Sequence, residues 1–221
     1  MPTLSLSNVS YTYKGAKKPS VSNVNCKFEQ GKLYAIVGPS GSGKSTLLSI
    51  LAGLDFPTQG KAEFDEKNLS QIDLDRYRRE SIAMVFQAFN LFPLLTVMEN
   101  VCYPLELCGA KPVEAKLRAE KLLISVGISK EQMRRFPSKL SGGEQQRVAI
   151  ARSLAAGAKT ILADELTGSL DAANTKNIMN ILQILAHNEG YCIIIVTHDL
   201  EVAEIADVVY RMKDGILAVG S

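Results

Sequence analysis

From Cys192 through Val196 the chain reads Cys-Ile-Ile-Ile-Val, with no polar residue at any alternate position. A strand built that way has apolar side chains on both faces, so both faces must be covered. That is the habit of a parallel sheet between two layers. Leu33-Tyr34-Ala35-Ile36-Val37, Ile82-Ala83-Met84-Val85-Phe86 and Lys159-Thr160-Ile161-Leu162-Ala163-Asp164 repeat the pattern, and Val208-Val209-Tyr210-Arg211-Met212 is a fifth candidate. Helical stretches at 145–156, 172–187 and 200–206 separate them, and strands alternating with helices predict an α/β fold with a parallel sheet. The first 30 residues differ. Leu4-Ser5-Leu6-Ser7 and Val21-Ser22-Asn23-Val24 alternate, which predicts an N-terminal antiparallel β part.

Residues 88–140 break the rhythm. A helix is predicted over 112–126, with Pro112 in its first turn, Gly127 at its stop, and Val113, Leu117, Leu122, Leu123 and Val126 as its buried stripe. The expected organisation is one domain over 1–221. Residues 1–87 and 155–221 form the β and P-loop core, and 88–154 an inserted α-helical subdomain.

Composition narrows the class. The 221 residues are 46% hydrophobic and 22% charged, which excludes a disordered or coiled-coil chain. Lys and Arg number 25 against 23 Asp and Glu, a formal charge of +2, so no basic excess asks for nucleic acid. Cys26, Cys102, Cys108 and Cys192 form no CxxC pair and are expected to be buried small hydrophobes in a reducing compartment. The densest apolar stretch, 88–108, is interrupted by Asn90, Pro93, Glu99, Asn100, Pro104 and Glu106, well short of the ~20 apolar residues a membrane span needs. MPTLSLSN shows no secretion signal. The expected location is cytoplasmic, or peripheral to a membrane through a partner.

Gly38-Pro39-Ser40-Gly41-Ser42-Gly43-Lys44-Ser45 satisfies GxxxxGK[ST] between a predicted strand and a predicted helix. Glycines let the backbone curl its N–H groups around phosphate oxygens, and the helix N-terminus adds its dipole. Lys44 is placed to reach the β- and γ-phosphates, and the Ser45 hydroxyl to ligate Mg2+. Asp164 ends a buried strand at the edge where parallel sheets bind ligands, which suits holding Mg2+ through water. Glu165 stands one residue further in, where a general base would polarise the attacking water.

Leu140-Ser141-Gly142-Gly143-Glu144-Gln145-Gln146-Arg147 opens another predicted helix. Taken alone it is either a serine N-cap on a glycine turn or a second set of free N–H groups for an anion. The P-loop can already surround one nucleotide's phosphates, so a second anion site needs a reason.

With its continuation to Arg152, this segment resembles the signature of ATP-binding-cassette ATPases. Other family motifs follow in order. Tyr13 resembles the aromatic that stacks on adenine, with Tyr11 as the alternative. Gln87 matches the Q-loop, Ser169-Leu170-Asp171 the D-loop and His198 the switch histidine. The resemblance runs from about residue 4 to 216. It implies ATP and Mg2+ as ligands, nucleotide contacts from Gly38 through Thr46, metal contacts from Ser45, Gln87 and Asp164, and catalysis by Lys44, Glu165, His198 and Gln87. It also implies a head-to-tail dimer in which each P-loop faces the partner's Ser141, Gly142 and Gly143, with Asp171 beside them, which answers the second-anion puzzle. The segments from Val85 to Val101 and from Pro137 to Leu154 look most like the bacterial group of macrolide exporters, lipoprotein-release complexes and the division-associated transporter. The implied role is to power a separate membrane permease, by export or mechanotransmission, at the inner face of the cell membrane.

Two residues depart from the family pattern. Leu166 replaces the usual proline after the catalytic glutamate, which predicts a looser turn. Glu144 stands where Gln is commoner. Phe89, Leu91, Phe92, Leu94 and Leu95 are unusually apolar for a connection, and either pack inside the insertion or leave part of the set exposed for a permease helix. A permease-free ATPase of DNA repair or translation, a P-loop kinase and a nucleotide-binding structural module are the rival classes. None explains the whole motif set as well. His187 is expected to be a surface residue near a helix end, and Arg76-Tyr77-Arg78-Arg79-Glu80 a solvated helix face.

Overall fold

The computed structural model describes residues 3–166, 168 and 170–220. Two sheets organise it. In the first, β1 (Thr3–Tyr11), β2 (Val21–Glu29), β4 (Gln59–Phe64) and β5 (Lys67–Asn68) pair antiparallel in the order β2-β1-β4-β5. In the second, β3 (Lys32–Val37), β6 (Ile82–Val85), β7 (Thr160–Asp164), β8 (Cys192–Thr197) and β9 (Val208–Lys213) run parallel. The antiparallel edge strand β10 (Ile216–Val219) completes the order β10-β9-β3-β8-β7-β6. The expected α/β architecture with its antiparallel N-terminal part is the one observed.

Alternation explains why β3, β6, β7 and β8 carry no polar interior positions. Leu33, Ile161, Ala163, Ile193 and Ile195 enter one core. Tyr34, Ile36, Leu162, Ile194 and Val196 enter another, on the opposite face, with Leu4, Leu6, Val24 and Phe28 from the antiparallel sheet. Between the layers, α1 (Lys44–Leu51) contributes Leu47, Leu48, Ile50 and Leu51 to the second core. Each such side chain taken fully out of water is worth about 1.5–3 kcal/mol, so the two-faced burial fixes register firmly.

Register also places the strand ends. Val37 pairs with Thr197, Asp164 with Val196, and Val85 with Ala163. The segments leaving β3, β6, β7 and β8 therefore emerge at one edge of the sheet.

The first core extends into a helical layer made by α3 (Val97–Leu107), α4 (Pro112–Ser125) and α5 (Gly142–Ala155), which pack on one another. Further helices are α2 (Leu74–Glu80), α6 (Ala172–His187) and α7 (Leu200–Glu204). α3 begins at a reciprocal capping box. The Thr96 N–H donates to Glu99 Oε2 at 2.7 Å, and the Glu99 N–H donates to Thr96 Oγ1 at 3.3 Å. Among the described residues no helix is long and apolar enough to cross a membrane.

The stripe predicted for α4 needs correction. Val113 and Leu117 are 75% and 58% exposed, and Leu122 is only partly buried. The face that packs is Ala115, Ala119 and Leu123, continued by Val126. Small alanines let α4 lie close against its neighbours, where larger side chains would hold it off. The helix stops as expected. Gly127, at φ +76°, donates its N–H to Ile124 O, and Ile128 donates to Leu123 O.

Candidate active site

The loop leaving β3 is shaped by close backbone approach. A Cβ on Gly38 would meet Met212 O at 2.1 Å, and one on Gly43 would meet Ser20 O at 2.1 Å with φ already at +105°. Only glycine fits either place. Gly43 is the N-cap of α1 and has no side chain to satisfy the first-turn N–H groups, so these are available to an anion. Lys44 is buried. Its Nζ donates to Gly38 O at 2.8 Å and Pro39 O at 3.1 Å, which holds the ammonium inside the loop.

Ser20, Ser40, Gly41, Gly43, Lys44, Ser45, Thr46 and Glu165 line a cleft of about 300 Å³ over this loop. Asp164, the last residue of β7, stands next to Glu165 and within reach of the Ser45 hydroxyl and the Lys44 charge. Burial raises the Asp164 pKa above the ordinary carboxylate value. The neighbouring Glu165 charge adds to that, and the Ser45 bond and Lys44 charge oppose it.

Glu165 adopts φ +51° and donates its N–H to Val196 O at 3.0 Å. Its Oε2 lies 2.6 Å from His198 Nδ1. Leu166 is buried in the first core, so its side chain anchors the turn whose backbone a proline would have fixed. Gln87, just beyond β6, brings Nε2 within 3.1 Å of where a Cβ on Gly168 would stand, beside Glu165. Tyr13 is exposed at the cleft margin with its hydroxyl 3.1 Å from Thr46 Oγ1. Tyr11 turns away, with its hydroxyl donating to Asp55 at 3.1 Å and its ring edge-on to Tyr13.

Ser141, Gly142 and Gly143 lie elsewhere and contribute nothing to the described lining of that cleft. Ser141 is exposed at the N-cap of α5. Its N–H donates to Glu144 Oε2 at 2.7 Å, while Oγ accepts from the Glu144 N–H at 3.4 Å. The serine N-cap reading is thus correct, and it leaves the hydroxyl at the surface. Glu144 also accepts from Gln132 Nε2 at 2.5 Å. The Ser141 backbone bond leads the influences that lower its pKa. Gly143 abuts Asn174, whose N–H and Nδ2 donate to the two Asp171 carboxylate oxygens at 2.8 and 2.9 Å. Asp171 caps α6 in this way. Ser169 lies outside the described residues.

Sequence reading missed Ser20, Asn174 and Arg152, which act through contacts that no motif spells out. His187 is at the surface and contacts Asp207 at 2.9 Å. In the run 76–80 Arg76 pairs with Glu80 at 2.8 Å in solvent, but Tyr77 is buried, with its hydroxyl donating to Leu51 O at 2.7 Å, so the run is not solvated throughout.

A loop of this shape, opening a helix beside a strand-end acidic pair, defines a nucleotide-binding P-loop ATPase. The family model described as "ABC transporter" matches residues 21–168. An uncharacterized ABC transporter ATP-binding protein of Bacillus subtilis, YclH, is 41% identical over 99% of this chain and 97% of its own length. The dimeric post-hydrolysis structure of the ATP-binding cassette MJ0796, bound to ADP and Pi, superposes with a TM-score of 0.87. It is 39% identical and covers 98% of each chain. The macrolide export ATP-binding/permease protein MacB of Marinobacter nauticus is 43% identical over 90% of this chain, which spans 31% of that protein. The chain belongs to the ABC transporter family, as an ATP-binding, ATP-hydrolysing subunit.

Proposed function

We propose that this subunit hydrolyses ATP in a head-to-tail dimer and drives a membrane permease on whose cytoplasmic side it sits. The observation that carries this reading is the convergence of Lys44, Asp164, Glu165 and His198 at one sheet edge, with Gln87 beside them. Organisation into a core (1–87 and 155–221) and a helical part (88–154) belongs to the same reading, with Gln87 at the join.

The N–H groups opening α1 and the Lys44 ammonium bind the phosphates, and Tyr13 stacks on the adenine. Glu165 accepts a proton from the water that attacks the γ-phosphorus, while the bond from that phosphorus to the bridging oxygen breaks. His198 Nδ1 lies 2.6 Å from Glu165 Oε2, close enough for the imidazole to orient the carboxylate. Hard oxygen donors suit Mg2+, and Asp164, burdened by its own burial, gains from a nearby cation. Ser45, Asp164 and Gln87 would hold the ion, which when bound neutralises phosphate charge. Each Ser141-Gly142-Gly143 meets the other subunit's γ-phosphate, and Asp171 stands beside that contact.

An exposed apolar patch supports a permease partner. Phe92 meets Tyr103 edge-on at 5.2 Å, with Leu94 and Leu107 exposed nearby in sequence. The name of MacB joins an ATP-binding part with a permease, which supports the same partner class here. ATPase activity measured with and without a candidate permease in vesicles tests the proposal. Stimulation is expected, and turnover indifferent to every genomic-neighbour permease counts against it.

A further inference from the structure

The segment following Gln87 is gripped from two helices. Asn100 is fully buried on α3. It accepts from the Phe92 N–H at 2.8 Å and donates through Nδ2 to Phe92 O, Leu95 O and Thr96 O at 3.1, 3.1 and 2.9 Å. From α5, Arg152 donates to Asn90 O at 2.5 Å and to Phe89 O at 3.3 Å. Its guanidinium carbon lies 5.8 Å from the centroid of the Phe92 ring. Asn90 itself is left-handed at φ +49°, which turns the chain between the two accepting carbonyls.

The same segment touches the start of α5. A Cβ on Gly142 would lie 3.7 Å from Phe89 Cζ. Arg152 stands about 15 Å further along that helix, by its rise per residue. Phe89 therefore has its ring close to the start of the helix and its carbonyl bonded to Arg152 further along it. Neither contact is part of the P-loop cleft.

We propose that Arg152 is a positioning residue for the shared ATP site: it locks residues 89–92 to α5, so that Ser141, Gly142 and Gly143 are presented to a second subunit in the placement set at Gln87. The inference rests on the head-to-tail dimer reading. Arginine suits the task because one planar fork serves two adjacent carbonyls and lies over a ring, whereas lysine offers a single point of charge. Burial pulls the Arg152 pKa downward, and the carbonyl oxygens and aromatic face that it contacts are the partners that keep the cation satisfied there.

The test uses the full chain carrying Glu165→Gln, in which the dimer reading expects ATP-bound dimers to accumulate. Sedimentation gives the ATP-dependent dimerisation constant, and titration with a fluorescent ATP analogue at high dilution gives monomer affinity. Arg152→Met should weaken dimerisation roughly tenfold or more, as for losing hydrogen bonds to a charged group, and leave monomer affinity within about twofold. Arg152→Lys should recover part of the loss. If Arg152→Met does not fold, Arg152→Lys and Phe89→Ala carry the test, since Phe89→Ala removes the ring against Gly142. Undiminished dimerisation in the folded variants overturns the proposal. So does a parallel loss of monomer affinity, which would mark a general structural role. If the Glu165→Gln parent stays monomeric with ATP, the dimer reading falls and this inference with it.

Discussion

Glu165 Oε2 and His198 Nδ1 are 2.6 Å apart, although they leave different strands of the parallel sheet. The pairing of Asp164 with Val196 brings the two side by side, because Glu165 directly follows β7 and His198 directly follows β8. Within one subunit, then, the carboxylate and the imidazole answer to each other before any second subunit arrives.

Their roles separate on mutation. Glu165→Gln keeps the side-chain shape and removes the proton acceptor, so turnover should fall about 10²–10⁴-fold while ATP still binds. ATP-bound dimers should accumulate on a sizing column. His198→Ala should also spare binding and slow turnover. Near wild-type turnover in Glu165→Gln would rule out its role as base.

Lys44 tests binding itself. Its ammonium is already held by Gly38 O and Pro39 O at the loop centre, so Lys44→Ala removes a cation that needs no ordering to meet phosphate. Nucleotide affinity should drop by roughly tenfold or more, as for losing a charged hydrogen-bonding partner. Calorimetric titration reads the change. Equal affinity in variant and wild type would contradict the P-loop assignment.

Gly143 reports on the junction between α5 and α6. A Cβ there would fall 2.2 Å from Asn174 Oδ1, and the Asn174 amide cannot swing aside without breaking its Nδ2 bond to Asp171. Gly143→Ala should destabilise the fold by about 1–3 kcal/mol, the usual range for overpacking. Asn174→Ala in the same chain should restore most of it, because the backbone N–H that caps α6 remains. Chemical denaturation of the single and double variants measures the recovery, and additive losses would show that the two residues do not clash.

This junction also marks the boundary of what the sequence made legible. Buried strands such as Cys192–Thr197 were readable because both faces are apolar, and the P-loop because its spacing is its mechanism. Periodicity placed Val113 and Leu117 on one face of α4 but could not tell which face would pack. Ala115 and Ala119 won through close approach, which hydrophobicity undervalues. α3 was hidden by Asn100 and Pro104, although Thr96 and Glu99, three apart, carry the capping signal. β4 was obscured because Gln59, Gly60 and Lys61 are exposed and only Ala62 is fully buried. Asn174 and Arg152 act across long sequence separations, so their partners appear only once the chain has folded.

Asp164 gives a pH prediction. Its folded pKa is raised above 3.8 by burial, then by Glu165, so the folded protein holds that proton more tightly than the unfolded chain does. Stability linked to this group is therefore lost as pH rises from about 3.8 through the raised folded value. Asp164→Asn keeps an acceptor for Ser45 and carries no charge. Nucleotide-free Asp164→Asn should melt higher than wild type at neutral pH, with the gap closing in acid. ATPase activity should fall in the same variant. A melting difference that does not change with pH would remove this titration from the account.

The last prediction separates assembly from hydrolysis. Of the five apolar residues after Gln87, Phe89 and Leu91 pack on the first core and Leu95 is half-buried. Leu94 is 87% exposed, and Leu107, on α3, is 66% exposed. Asn100 fixes the backbone on both sides of Leu94 through Phe92 and Leu95, so the side chain is displayed on an ordered turn. Leu94 itself makes none of the Arg152 contacts, which involve Phe89, Asn90 and Phe92. Leu94→Ser should accordingly leave folding and basal ATPase unchanged. Burying a leucine is worth about 1.5–3 kcal/mol, so copurification with the permease should weaken by roughly ten- to a hundredfold if Leu94 is covered there. Permease-stimulated turnover should fall with it, while saturating permease restores the rate. Normal assembly by Leu94→Ser and by Leu107→Ser would move the docking surface away from this patch.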